Sequence, residues 1–161
     1  MKIKSINDEV FQDYKKISMM INFPNCTFKC LTELNLPINI CQNCEIAKQP
    51  DIEISSKEII NRYLKNDITD AVLCAGLEPM DSFDELLNFI NEFRMVSNDD
   101  IVLYTGYNED EICDKIHLLS QFENIIIKFG RFIPNQEKHY DEILGVELAS
   151  PNQYAKILGG I

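Results

Sequence analysis

Short apolar runs alternate with amphipathic helical stretches along most of this sequence, and that alternation constrains the fold more than any other feature. Buried strands are predicted at 17–23, 71–75, 101–105 and 124–128. Between them, Ser-x-x-Glu capping boxes at Ser55 and Ser82 predict two helix starts, and Asn108 can cap a third helix that runs to about Phe122. Repeated strand-helix units predict a parallel sheet with right-handed crossovers.

The last part of the sequence carries a weaker pattern. Residues 143–148 fit a last strand, and residues 150–158 fit either a loop or a short helix. A closed barrel of eight strand-helix units takes roughly 250 residues, more than the 161 present. We therefore expect an α/β fold in which a single domain over residues 1–161 forms an open partial (β/α) barrel with a mostly parallel sheet.

The net charge of the chain indicates which partners it is unsuited to bind. Fifteen Lys and Arg against 26 Asp and Glu give a net charge of −11, so we expect no nucleic-acid partner. No apolar stretch approaches the roughly 18–20 residues that a membrane span needs, so no membrane partner is expected either. The first residues lack the apolar core of a signal peptide, and we expect a cytoplasmic protein.

Four of the six cysteines fall within nineteen positions, at Cys26, Cys30, Cys41 and Cys44. Such a local group of thiols indicates a metal site. All four could close a tetrahedral zinc site. Alternatively, three thiolates in a C-x14-C-x2-C pattern, with Cys30 spare, could hold an iron-sulfur cluster that keeps one iron open to a ligand. Spacing alone does not separate these two interpretations.

The position of these cysteines favours a functional centre. They lie in residues 24–46, the cysteine loop, which follows the carboxyl end of the first predicted strand. Three further segments, 76–79, 104–107 and 130–132, also lie at or just past strand ends. Because parallel sheets bind ligands at the carboxyl ends of their strands, we expect all four segments to converge on one site.

Taken in order, these segments resemble the radical S-adenosylmethionine (SAM) enzymes, and within them the activating proteins of anaerobic ribonucleoside-triphosphate reductases. The cysteine loop resembles a C-x-F-x-C-x-x-C motif opened by an insertion, and Ala-Gly-Leu-Glu-Pro at 75–79 resembles a Gly-Gly-Glu-Pro turn. Tyr-Thr-Gly-Tyr at 104–107 matches a segment of the activating proteins. Gly-Arg-Phe at 130–132, followed by Ser-Pro-Asn-Gln at 150–153, resembles their C-terminal signature.

The resemblance implies a radical SAM type of fold, one 4Fe-4S cluster and bound SAM, with no catalytic side chain beyond these two sites. The cluster would cleave SAM reductively to a 5′-deoxyadenosyl radical, and the radical would generate a glycyl radical on the large subunit of an anaerobic ribonucleoside-triphosphate reductase. A flavodoxin-type or ferredoxin-type protein would donate the electron. The implied SAM-site residues are Asn43, Gly76, Leu77, Glu78, Pro79, Tyr104, Thr105 and Gly106.

The sequence departs from the family pattern at several positions. Residues 31–40 separate the second and third cysteines, as an insertion does in 7-carboxy-7-deazaguanine synthases, and by that analogy the ligands are Cys26, Cys41 and Cys44, with Cys30 as the alternative. Asn43 stands in place of an aromatic residue, and Leu77 in place of a glycine. Two other functions stay open: a deazaguanine-synthase-like enzyme acting on a small molecule, and a zinc-stabilised interaction module without catalysis.

Overall fold

The computed structural model of the chain describes residues 1–159 and is built on a six-stranded sheet. The strands are β1 Lys2–Ile3, β2 Ser5–Val10, β3 Ser18–Phe23, β4 Ile52–Glu53, β5 Ala71–Gly76, β6 Asp100–Tyr104, β7 Ile125–Phe129, β8 His139–Asp141, β9 Val146–Leu148 and β10 Tyr154–Leu158. The spatial order in the sheet is β10-β7-β6-β5-β3-β2, with β3, β5, β6 and β7 parallel and the two edge strands antiparallel. Two small antiparallel pairs, β1 with β4 and β8 with β9, lie outside this sheet.

In the described part of the chain, five α-helices and three 3-10 turns connect these strands. The helices are α1 Lys29–Thr32, α2 Cys44–Ala47, α3 Ser56–Leu64, α4 Phe83–Arg94 and α5 Cys113–Leu119, and the 3-10 turns are Ile38–Ile40, Pro79–Ser82 and Glu109–Glu111. Within residues 1–159, every helix is too short or too polar to cross a membrane.

The four buried parallel strands were predicted to within one residue at each end, because each combines an apolar run with a clear boundary. The sheet is mostly parallel and does not close into a barrel. The partial barrel itself stays a prediction.

The predictions for the end of the chain were right only in part. Residues 154–158, expected as loop or short helix, form β10, which pairs with the free edge of β7. The expected last strand shrinks to Val146–Leu148, which pairs with β8 instead of joining the main sheet. An open edge of unpaired backbone groups favours such an antiparallel addition, even where the added strand has weak alternation.

Of the two predicted Ser-x-x-Glu capping boxes, one forms and the other does not. At Ser55 the capping box forms, since Glu58 N–H donates to Ser55 Oγ over 3.2 Å and Ser55 N–H donates to the Glu58 carboxylate over 3.0 Å. At Ser82 it does not form, because Ser82 Oγ accepts a hydrogen bond from Asn25 Nδ2 instead, at 2.9 Å. The third helix is shorter than predicted, and the 3-10 turn Glu109–Glu111 precedes it.

The parallel strands follow one another in spatial order, and right-handed crossovers then place their connecting helices on the same face of the sheet. Accordingly α3, α4 and α5 all contribute to the larger hydrophobic cluster, which buries Phe23, Phe89 and Phe93. A smaller cluster covers the opposite face beneath the β8–β9 pair and includes Leu73, Val102 and Ile126. The carboxyl ends of the strands on this second face are where the candidate site lies.

Candidate metal centre

A cavity of about 140 Å³ lies at the carboxyl ends of the parallel strands. Each of the four segments singled out in the sequence contributes to its wall. The lining residues that bear on its chemistry are Cys26, Cys30, Cys41 and Asn43 from the cysteine loop, Gly76, Leu77 and Glu78 after β5, Tyr104, Thr105 and Gly106 after β6, and Lys128, Gly130, Phe132 and Gln153 around the end of β7. The fold therefore brings the four segments together at the carboxyl ends of the strands, as the parallel topology predicts.

Three of the four clustered cysteines line this cavity. Cys26 Sγ accepts a hydrogen bond from Phe28 N–H at 3.2 Å, and Cys41 Sγ accepts one from Asn43 N–H at 3.4 Å. Cys30 is close to both of them, since its charge helps to raise the pKa of Cys26 and the charge of Cys41 helps to raise the pKa of Cys30. Burial raises the pKa of Cys26 to about 12 and also raises that of Cys30.

Cys44, a predicted ligand, is absent from the residues that line the cavity in the described chain. It opens α2, and its thiol donates to the Glu45 carboxylate at 3.7 Å. Within residues 1–159, no three His, Cys, Asp or Glu side chains surround a point that could hold a single metal ion. The cysteines therefore line a shared space instead of converging on one atom.

The cysteine loop is fixed to the strand ends by polar contacts. Thr27 N–H donates to Asp81 Oδ2 at 2.8 Å, and the Tyr107 hydroxyl donates to the other oxygen of Asp81 at 2.7 Å. Farther along, Asn43 Nδ2 donates to the carbonyl of Gly76. Asn43 thus links the loop to the turn after β5.

The turn after β5 depends on a glycine and a buried carboxylate. Gly76 has φ +87°, and a Cβ there would lie 2.7 Å from the Cα of Asn22 in β3. Glu78, 5% exposed, accepts hydrogen bonds from Gly106 N–H at 2.8 Å and Met80 N–H at 3.1 Å. Burial raises its pKa to about 7, although these hydrogen bonds oppose the shift. Glu78 therefore joins two of the predicted segments, while Pro79 begins the 3-10 turn beside them.

An ionic network, which sequence reasoning missed, holds α1 against the end of the sheet. Arg131 makes two bonds to Glu111, at 2.6 and 2.7 Å, and its Nη2 donates to Glu33 at 2.9 Å. Lys29 also pairs with Glu111. The pKa of Glu111 is held well below its usual range by the Arg131 guanidinium. The partners come from distant parts of the chain, so no local pattern could have indicated them.

Lys128 was also missed, although the sequence carries a signal for it. It interrupts the apolar run of β7, and burying a charged side chain in a strand costs free energy unless the charge has a partner or a function. The structure indicates a function, since Lys128 lines the cavity that the cysteines share.

Comparison with known proteins decides between zinc and iron-sulfur chemistry. A family model described as a 4Fe-4S single cluster domain matches residues 17–152, from just before β3 to just short of β10. The chain belongs to this 4Fe-4S single cluster domain family. No curated protein matches it. Membership makes an iron-sulfur cluster, which the sequence left beside zinc, the cofactor of this domain.

The residues of the cavity fit such a cluster. Cluster irons are bound by cysteine thiolates, and each thiolate can bind a different iron, so the sulfurs need to surround a space and not a single point. Cys26, Cys30 and Cys41 do so, and backbone N–H groups donate to two of the sulfurs. Such hydrogen bonds to cluster sulfurs help to set the reduction potential.

Proposed function

We propose that this 4Fe-4S protein is a radical SAM enzyme with a partial (β/α) barrel, and that it generates the glycyl radical of an anaerobic ribonucleotide reductase. One observation carries the proposal: the turn after β5 and the turn after β6 line the same cavity as the cysteines. A domain that only carried electrons would need its thiolates, but it would not need these two turns in contact with the cluster.

Three of the clustered cysteines, Cys26 and Cys41 with either Cys30 or Cys44, would hold the cluster and keep a position open for SAM. When bound, the cluster would supply the one electron that the reductive cleavage of SAM to methionine and a 5′-deoxyadenosyl radical requires. The protein's own residues bind and orient SAM and limit the access of water. The backbone of residues 76–78 offers polar groups beside the cysteines, and Glu78 holds this turn against Thr105 and Gly106 through hydrogen bonds.

The size of the cavity supports a macromolecular partner. At about 140 Å³ it is smaller than the roughly 300–1,000 Å³ of usual small-molecule sites. The cluster would take up the space between the cysteines and SAM would extend from there to the mouth, which leaves no enclosed space for a second small molecule. The group that loses hydrogen would then come from outside, as a loop of a reductase subunit can. This favours the activating protein over a deazaguanine-synthase-like enzyme.

Anaerobic reconstitution with iron and sulfide, followed by EPR of the dithionite-reduced protein with and without SAM, tests the proposal. We expect a reduced-cluster signal that changes on adding SAM, and 5′-deoxyadenosine among the products. The matched pair Glu78→Gln and Glu147→Gln adds specificity, because Glu147 is exposed on β9 and away from the cavity. Only Glu78→Gln should weaken the response to SAM. A cluster that ignores SAM would refute radical chemistry, and tight zinc without a cluster would indicate an interaction module.

A reductase partner and an electron donor are tested next. With a flavodoxin-type or ferredoxin-type protein as reductant, the loaded protein should produce a glycyl radical doublet in the EPR spectrum of an anaerobic reductase large subunit. SAM cleavage without any such signal would contradict the reductase partner and favour an enzyme that acts on a small molecule.

A further inference from the structure

Lys128 places a buried positive charge in the cavity. It lies on the same face of β7 as Ile126 and pairs in register with Tyr104 of β6, and it is 6% exposed. Its Nζ lies 5.7 Å from the centre of the Tyr104 ring. The side chain therefore points to the wall that Cys26, Cys30 and Cys41 share.

The surroundings of Lys128 do not neutralise it fully. Its ammonium has three N–H donors, and the described part of the chain supplies one acceptor, the Gly130 carbonyl at 3.1 Å. Burial lowers the pKa of Lys128 to about 8, while the charges of Glu78 and Cys30 act in the opposite direction. Burying an ammonium with so few partners costs free energy, and an anionic group in the cavity would offset that cost.

The group expected there is anionic and becomes more so on reduction. A 4Fe-4S cluster with three thiolate ligands carries net negative charge, and one added electron increases it. Net charge around a cluster is one of the factors that set its reduction potential. In a cavity of low dielectric, a nearby cation stabilises the reduced state more than the oxidised state.

We propose that Lys128 raises the reduction potential of the bound cluster by acting as a fixed positive charge in its cavity. The inference depends on the 4Fe-4S cluster of this domain and not on SAM cleavage. It assigns Lys128 a tuning role rather than a catalytic one.

The test is an EPR-monitored redox titration of the reconstituted protein and three variants. Lys128→Met removes the charge with little change of volume, Lys128→Arg keeps the charge, and Lys156→Met makes the same change in net charge at an exposed position of β10. For Lys128→Met we expect the ratio of reduced to oxidised cluster at a fixed potential to fall about tenfold, which is about 59 mV for one electron. Lys128→Arg and Lys156→Met should stay within about twofold of the parent protein.

An unchanged potential in Lys128→Met overturns the inference, and so does an equal shift in Lys156→Met. If Lys128→Met fails to take up iron, Lys128→Gln replaces it. Should both neutral variants stay without cluster while Lys128→Arg loads normally, the charge serves assembly and the tuning role is wrong.

Adding SAM to the same samples separates this inference from the proposed function. An unchanged potential with a lost response to SAM would assign Lys128 to ligand binding and overturn tuning. A shifted potential in a cluster that never responds to SAM would support tuning and refute radical chemistry. A parent protein that binds no cluster would refute both.

Discussion

At the scale of single residues, the two assignments of the third cysteine ligand make different predictions. The resemblance names Cys44, but the cavity contains Cys30, and the Cys44 thiol contacts Glu45. We expect Cys30→Ser to lose most of its iron after reconstitution and Cys44→Ser to keep most of it. Iron and sulfide analysis with the absorbance of the cluster would measure this, and Cys113→Ser, at an exposed cysteine, is the matched control.

The reverse result, with iron lost only in Cys44→Ser, would restore the assignment by analogy. Loss in both variants would mean four thiolate ligands and no open iron, which would also remove the site expected for SAM.

Glu78 gives a prediction about pH for the protein without its cluster. Its pKa in the folded state is raised by burial to about 7, above the ordinary value of 4.5, so the folded state binds this proton more tightly than the unfolded state. The contribution of Glu78 to stability is therefore fully present below about pH 4.5 and is lost as the pH rises through 7. We expect the free energy of unfolding of the parent protein, relative to Glu78→Gln, to fall by roughly 1–3 kcal/mol between pH 5 and pH 8.

Urea denaturation at the two pH values measures that difference. Glu147→Gln, which changes an exposed carboxylate of the same type, should show little of it. A constant difference between the parent protein and Glu78→Gln would show that the carboxyl keeps an ordinary pKa.

At the scale of elements, the ionic network should control how firmly α1 holds the cysteine loop to the sheet. Arg131 joins Glu33, in the loop, to Glu111, and the Arg131 side chain is 11% exposed. We expect Arg131→Met to weaken this attachment by roughly 1–2 kcal/mol, because a partly buried network is stronger than a surface pair. Amide hydrogen exchange of α1 should accelerate about tenfold, while α3 should be unaffected.

Arg62→Met is the matched control, since Arg62 also binds a carboxylate with two nitrogens, at Asp8, but on an exposed part of the surface. Equal acceleration of α1 in both variants would mean that the network does not anchor the loop.

Local patterns predicted the elements that depend on local forces. The parallel strands bury continuous apolar runs, and the Ser55 box uses only residues within one turn. The failures arise from distant contacts: Ser82 binds Asn25, and β10 forms because β7 offers a free edge. The edge strand β2 was missed because its Ser-Ile-Asn-Asp-Glu-Val sequence carries few apolar residues.

The candidate site could be predicted as a set of segments but not as a set of contacts. Strand topology alone brings residues 76–78 and 104–106 to the cysteine loop. The direction of each side chain, which places Cys30 inside and Cys44 outside, depends on the short helices of the loop. The role of Lys128 needed the register between β6 and β7.

At the scale of the whole molecule, the sheet and the cluster should contribute separately to stability. The large hydrophobic cluster packs α3, α4 and α5 on the face opposite the one whose strand ends form the cavity, and its phenylalanines are fully buried. A core of this kind folds without metal, unlike a small zinc domain that is unfolded when empty. We therefore expect the protein without its cluster to keep a cooperative thermal transition and an α/β circular dichroism spectrum.

Loading the cluster should then raise the melting temperature, because a ligand bound only by the folded state stabilises that state. We expect an increase of about 5–10 °C, which corresponds to roughly 2–3 kcal/mol in a domain of this size. Differential scanning calorimetry under anaerobic conditions, before and after removal of iron with a chelator, measures it. The double variant Cys26→Ser/Cys41→Ser should melt at one temperature whether or not iron and sulfide are supplied. Loss of the cooperative transition on iron removal would show that the sheet depends on the cluster, and the separation inferred from the two faces would be wrong.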